Sequence, residues 1–236
     1  MNKTEETEDD WNPTCERFVA CLDILGFKDR VANSTHGEIY QSLEKFSQFR
    51  DIVESTNLLT NSVKVVLFSD SIFIFSKDNS VESFDDIVKS TSFLLNISLR
   101  DNVLLPLKGS LAYGKLTVDT INQIYFGQAL IDAYLLEQEI HYLGVVTHHS
   151  FEKFIIQNKE SLLKSNGVDK ILPILETPLK SSNVKHRNFN IRKSYIENLK
   201  NLEKLYLNVS GKPRIYIDNT FKVLEQLEKI NLNQEN

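Results

Sequence analysis

Two aspartates stand among apolar neighbours, where a lone carboxylate is costly. Asp23 closes the run Phe18-Val-Ala-Cys-Leu-Asp23 and leads into Ile24-Leu-Gly-Phe27, while Asp70 sits between Val63-Lys-Val-Val-Leu-Phe68 and Ile72-Phe-Ile-Phe75. A carboxylate packed against Val, Leu, Ile and Phe loses about several kcal/mol of solvation unless a cation or a set of donors replaces the water. The chemistry such a pair could do is to grip metal ions. Taken singly, Asp23 also reads as a cap or turn residue and Asp70 as a hairpin-tip aspartate; the pair is what points to a site.

The elements that must position them follow from the apolar pattern. Phe18 to Asp23 is apolar on both faces and runs into Gly26, which predicts a central buried strand and a turn. Ile39, Leu43, Phe46 and Val53 recur at helical spacing and predict an amphipathic helix from Gly37 to Glu54. Val63–Phe68 and Ile72–Phe75 are rich in β-branched and aromatic residues, predicting a hairpin that displays Asp70 at its Ser69-Asp70-Ser71 tip. A helix over Asp85–Leu99 turns Ile87, Phe93, Leu94 and Ile97 inward. Leu105–Tyr113 is a strand, with Gly109 marking a close approach and Gly114 a turn. A helix over Gln128–His141 and a short strand at Gly144–Thr147 follow. Helices at Phe151–Lys164 and Tyr195–Leu205 and a terminal strand and helix from Arg214 complete the chain.

This order predicts an α+β fold, with helices on one side of a mostly antiparallel sheet. At 236 residues, 41% of them hydrophobic, the chain can bury a core without staples, and its two cysteines, Cys15 and Cys21, imply neither a disulfide framework nor a zinc site. The segments expected are an acidic disordered tail over 1–14, a core over 15–150, and a C-terminal part or extension over 151–236. The acidic opening Met1–Asp10 lacks an apolar core, and no apolar run approaches a membrane span, so no signal peptide and no membrane partner are expected. A net charge of −5 argues against a nucleic-acid partner. A reducing cytoplasm is the expected location.

The motifs carry a resemblance. Phe18 to Phe27 resembles the first metal-binding motif of class III nucleotide cyclases, and Ser69-Asp70-Ser71 resembles their second. Leu107-Lys-Gly-Ser-Leu-Ala-Tyr-Gly114 and Tyr125-Phe-Gly-Gln-Ala-Leu-Ile-Asp-Ala133 resemble the strand and helix that follow. The resemblance covers roughly Phe18 to Thr147, with the two aspartates 47 positions apart. It implies a ferredoxin-like cyclase fold and a head-to-tail homodimer with active sites between subunits. It further implies two Mn²⁺ or Mg²⁺ ions per site, held by Asp23, Asp70 and the carbonyl of Ile24, with Asp23 and Asp70 as the catalytic carboxylates. A nucleoside triphosphate would lie against Leu25, Gly26, Phe27, Lys108 and Tyr125. Two such ions would activate the ribose 3′-hydroxyl and clamp the triphosphate.

Departures narrow the resemblance. The positions that read a purine in this class fall on Val66 and Ile124, which offer no donor or acceptor. The transition-state Asn and Arg positions fall on Ile131 and Leu135. With Gly127-Gln-Ala-Leu-Ile-Asp-Ala-Tyr-Leu-Leu-Glu137, these make the chain resemble the bacterial pyrimidine cyclases of Pycsar antiphage defence, which make cyclic UMP or cyclic CMP for a separate effector protein; UTP is the favoured substrate. A palm-type polymerase shares the two-metal logic, but the Gly-Gly-Asp/Glu-Glu-Phe signature of the related diguanylate synthases is missing here. Lys108 reads equally as a phosphate ligand or as a lysine snorkelling at a sheet edge. The stretch Lys180, Lys185, Arg187, Arg192 and Lys193 reads as a solvated loop that could also close over a triphosphate. Glu137 reads as a surface or interface residue. His148 and His149 at a strand end are expected to point apart, and Tyr113 and Tyr125 to flank the pocket.

Overall fold

The computed structural model describes residues 11–55, 62–100, 103–162, 168–191, 195 and 198–235. Along β1 (Thr14–Ile24), Phe18, Ala20, Leu22 and Ile24 enter the main core, while Val19 and Cys21 enter a second cluster on the opposite face. Burial on both faces explains the unbroken apolar run, and it makes β1 the central strand. It pairs antiparallel with β3 (Ser71–Ser76) on one side and β4 (Leu107–Asp119) on the other. With β2 (Val63–Phe68) and β5 (Ile124–Phe126) the sheet runs β2-β3-β1-β4-β5, and β6 (Val145–Thr147) joins β4 in parallel.

The helices are α1 (Phe27–Asn33), α2 (His36–Ser55), α3 (Val81–Ser98), α4 (Gln128–Glu139) and α5 (His149–Gln157). The path β1-α-β2-β3-α3-β4, with sheet order β2-β3-β1-β4, is the ferredoxin-like arrangement. Helices α2, α3 and α5 cover the main-core face through Phe46, Phe84, Ile87, Leu94, Phe151 and Phe154. Phe18 anchors that face: its ring meets Phe84, Phe151 and Phe154 edge-on at 5.7, 5.4 and 4.8 Å. Each such pair adds on the order of 1 kcal/mol to the burial term.

Several expectations change. Helix α4 packs on the opposite face through Ala129 and Ala133, so the helices are not all on one side. Strand β4 continues through Gly114 to Asp119, because β1 and then β5 supply its ladder partners there. The turn expected at Gly26 is present, and α1 follows it directly, ahead of the helix expected from Gly37. Phe93 points outward, 40% exposed. The basic stretch contains a strand: β7 (Ile174–Pro178) and β8 (Asn183–Arg187) form a hairpin. The strand expected from Arg214 is part of a helix spanning Lys212–Glu235, and the preceding helix covers Leu199–Asn208. Trp11 is buried and Thr14 opens β1, so ordered chain begins inside the expected tail. Residues 1–10, Arg192, Lys193 and the side chain of Val53 lie outside the described residues. Beyond Ser150, Leu175, Phe189, Tyr195, Leu202, Val223 and Leu227 enter the same main core.

At Gly109, β4 leaves no room for a side chain against β1. A Cβ there would lie 2.3 Å from Leu22 Cδ2 and 2.6 Å from the Cys21 carbonyl oxygen, which is backbone and cannot yield cheaply. Gly109→Ala is therefore expected to destabilise the protein by about 1–3 kcal/mol, measured as a lowered urea midpoint with an unchanged slope.

Candidate active site

Register brings the two aspartates together. Ser71 is the β3 partner of Asp23, and the next residue, Ile24, donates its N–H to the Asp70 carbonyl at 3.0 Å. Asp23 and Asp70 thus end adjacent strands at one sheet edge, both half-buried. Ser69, at φ 57°, makes the tight turn that leaves Asp70 at the tip. Burial pushes the Asp23 carboxyl up to about 6; the negative charges of Glu137 and Asp70 push the same way, and Lys108 and Lys180 oppose them. A carboxylate so held is destabilised when ionised and gains from a cation.

The turn beyond Asp23 needs Gly26, whose φ of 76° suits glycine, and α1 starts from it without a side-chain cap. Arg30 fixes it from inside: its N–H donates to the Gly26 carbonyl and its guanidinium to the Leu104 carbonyl. Of the expected phosphate donors, Leu25 is corrected, because its N–H already donates to the Pro106 carbonyl at 2.9 Å. Gly26 is exposed in the turn, and Phe27 is buried at the start of α1.

Lys108 and Glu137 are also corrected. Lys108 is 5% exposed and Glu137 1% exposed. The Lys108 ammonium donates to Glu137 Oε1 and, at 2.9 Å, to the Glu137 main-chain carbonyl. Lys108 therefore neither snorkels nor stands open to a phosphate, and Glu137 lies beneath the surface, between α4 and β4. Nearby, burial and the charges of Glu137 and Asp23 push the Cys21 thiol up to about 12, keeping it protonated and inert.

Three groups reach this end from segments that sequence patterning leaves apart. Lys180, in the β7–β8 turn, lowers the Asp23 carboxyl, and its backbone is pinned to α4 by donation to the Glu139 carbonyl at 2.8 Å. Tyr216, on the C-terminal helix, is influenced by Lys108, Glu137 and Asp23, and its ring packs edge-on against His141 at 4.5 Å. Burial and the charges of Lys180 and Lys108 hold His141 below its usual range. Tyr216 also joins Leu25, Gly26, Pro106 and Leu143 in lining a cavity of about 330 Å³.

Tyr125 is not among them. Its β4 partner, Val118, lies ten residues along that strand from Lys108, the partner of Asp23, a rise of roughly 30 Å. It stacks on Phe75 at 5.2 Å and, with Val66, Phe73 and Leu130, lines a concave surface of about 650 Å³. Ile124, Ile131 and Leu135 are half or more exposed beside it. Tyr113 is corrected as well: it faces the main core, packed on Phe18 and Phe154, with its hydroxyl accepting from Asn79 Nδ2. His148 and His149 hold their rings 4.0 Å apart rather than pointing away; His148 Nδ1 accepts from the Ser150 N–H as the cap of α5.

The donor set suits a hard divalent ion. Among the described residues no group of three or more His, Cys, Asp or Glu side chains is arranged to hold a metal. Two carboxylates and a carbonyl at a sheet edge match an ion of the Mg²⁺ kind, which takes one or two carboxylates and completes its shell with water and phosphate oxygens.

Asp23 also sets a pH dependence in the metal-free protein. With its folded value near 6, raised above an ordinary unfolded one, the folded state holds a proton that the unfolded state has released between about pH 4 and 6. Its contribution is fully present below that window and is lost as the pH rises through it. In EDTA, Asp23→Asn is expected to gain on the order of 1 kcal/mol on the native protein between pH 4 and 7.5, a figure reduced for the partial exposure of the group. Urea midpoints of the two proteins across that range check it.

No family model matches the sequence, and no curated protein matches it. Among solved structures, the chain is similar to the catalytic core of a rhodopsin-guanylyl cyclase with converted specificity, in complex with ATPαS. The TM-score is 0.55 at 12% identity, covering 77% of this chain and 98% of that one. A class III adenylyl cyclase-like ATP-binding protein from Pseudomonas aeruginosa gives a TM-score of 0.48 at 15% identity, covering 79% of this chain and 40% of that one. The ferredoxin-like sheet built on β1 is thus the class III nucleotide cyclase fold.

Proposed function

We propose that the protein is a nucleotide cyclase that converts UTP to 3′,5′-cyclic UMP and pyrophosphate. The observation that carries the reading is the pairing of Asp23 with Asp70 at one sheet edge beside the Gly26 turn. Asp23, Asp70 and the Ile24 carbonyl would hold two Mn²⁺ or Mg²⁺ ions, which supply Lewis-acid activation of the ribose 3′-hydroxyl and neutralise the triphosphate. Gly26 and Phe27 orient the phosphates with their backbone. Lys180 adds a cation at the same end. The 3′-oxygen bonds to the α-phosphorus as the bond to the β-phosphate oxygen breaks; pyrophosphate leaves with that electron pair, and the hydroxyl proton passes to solvent.

A homodimer belongs to this reading. Val66 and Phe73 line a concave apolar surface, and Ile124 on β5 with Ile131 and Leu135 on α4 are exposed apolar side chains, as an association surface presents. Tyr125 stands too far along β4 to touch a nucleotide held by the Asp23 of its own chain, so a head-to-tail partner would supply it. The pyrimidine preference rests on Val66 and Ile124, which have no polar atom to read a purine edge. The antiphage role and the separate effector rest on the resemblance of Gly127–Glu137 to Pycsar cyclases. Ile131 and Leu135, exposed on α4, also favour a second reading, a cyclase-like module that binds nucleotide without turning it over.

Purified protein incubated with Mn²⁺ and each of the four nucleoside triphosphates is expected to yield cyclic UMP from UTP, with Asp70→Ala lowering kcat about a hundredfold or more. No cyclic product, or purine product alone, rejects the reading; nucleotide binding that survives without turnover selects the second. The paired change Ile131→Glu and Leu135→Glu should convert a dimer into a monomer in sedimentation velocity and remove activity, with the circular dichroism spectrum retained.

A further inference from the structure

The Lys108–Glu137 pair lies beside the candidate metal carboxylate. Lys108 is the ladder partner of Asp23 across β1 and β4, and Glu137 reaches it from α4. Both charges act on Asp23, Glu137 raising its carboxyl and Lys108 lowering it. A buried ammonium beside two carboxylates can satisfy either. The geometry settles the contest: Lys108 bonds to the carboxylate and the main-chain carbonyl of Glu137, and the other Glu137 oxygen accepts from Gln138 Nε2 at 2.7 Å.

We infer that Glu137 is a positioning residue: it sequesters the Lys108 ammonium, so that the Asp23 carboxylate stays open to a divalent cation. The inference rests on the reading of Asp23 as a metal ligand. Without Glu137, Lys108 is a desolvated ammonium that has lost its carboxylate partner and whose charge already acts on Asp23, and it would occupy the carboxylate that the metal needs. Without Lys108, an anion remains beside Asp23, which attracts a metal rather than repelling it. The two single substitutions therefore act in opposite directions, whereas a strut joining α4 to β4 would be weakened by either.

The test is Mn²⁺ binding to the full chain without nucleotide, followed by the electron paramagnetic resonance signal of free Mn²⁺, with urea unfolding in parallel. Glu137→Gln is expected to weaken binding about tenfold or more. Lys108→Met should bind at least as tightly as the wild type. The double variant Lys108→Met with Glu137→Leu, which buries no charge, should return to within about threefold of wild type. Single variants that both weaken binding, or a double variant as weak as Glu137→Gln, overturn the inference. If Glu137→Gln fails to fold, the other two decide: retained binding supports sequestration, and loss in both supports a strut. Asp23→Asn separates the two levels, since wild-type Mn²⁺ affinity in that variant refutes the metal reading itself.

Discussion

The pairing of β1 on both edges is the constraint on which the rest depends. A strand flanked by β3 and β4 and buried on both faces has its backbone groups satisfied by its neighbours and its side chains removed from water. Such a strand can place a carboxylate only at its end. Asp23 takes that place, where solvent is thin enough to penalise the charge yet a ligand can still approach. The β2–β3 hairpin must turn at the same level because its register is locked to β1, and that lock delivers Asp70. The two carboxylates are therefore set by ladder geometry rather than by any contact between them.

What surrounds Asp23 is a balance of charges assembled from distant parts of the chain. Glu137 comes from α4, Lys108 from β4, Lys180 from the β7–β8 turn and Tyr216 from the C-terminal helix. Each is held by backbone or packing independent of Asp23: Lys180 through Glu139, Tyr216 through His141, Lys108 through Glu137. Of these groups, Lys108 and Glu137 have their polar atoms fixed by hydrogen bonds, so this part of the surroundings is oriented before a charged ligand arrives. The C-terminal segment thus belongs to the wall of the site as well as to the core.

The sheet was legible in the sequence because its signals are local. Phe18–Leu22 reads as buried strand, and Val63–Phe75 as a hairpin, from β-branched and aromatic runs broken by a short polar turn. The C-terminal half was not, for physical reasons that differ by element. In β8, Asn183–Arg187 is held by pairing with β7 rather than by an apolar face, so its polar composition masks it. Ile215-Tyr-Ile217 favours a strand by propensity, but the helix around it buries Ile217, Val223 and Leu227 at helical spacing, and packing overrides the local preference. Read alone, Lys108 is a phosphate ligand or a snorkelling lysine and Glu137 a surface or interface residue; that they neutralise one another follows from the docking of α4 on β4, which no local pattern encodes.

The long reach of β4 has a consequence for how a site on this fold can be completed. The strand carries Lys108 at the Asp23 end and Val118 beneath Tyr125 at the other, so one sheet face holds an acidic end and an aromatic, apolar end too far apart for one small ligand. In the proposed homodimer, a second copy in the opposite direction would bring the acidic end of one subunit over the aromatic end of the next, and two equivalent composite sites would result from one contact. Apolar residues at 66, 124, 131 and 135 contribute area to such a contact, where polar ones would require partners across it. On the proposed reading, the same apolar side chains that leave a purine edge unread would add area to the contact between subunits, so base preference and pairing would draw on one set of residues.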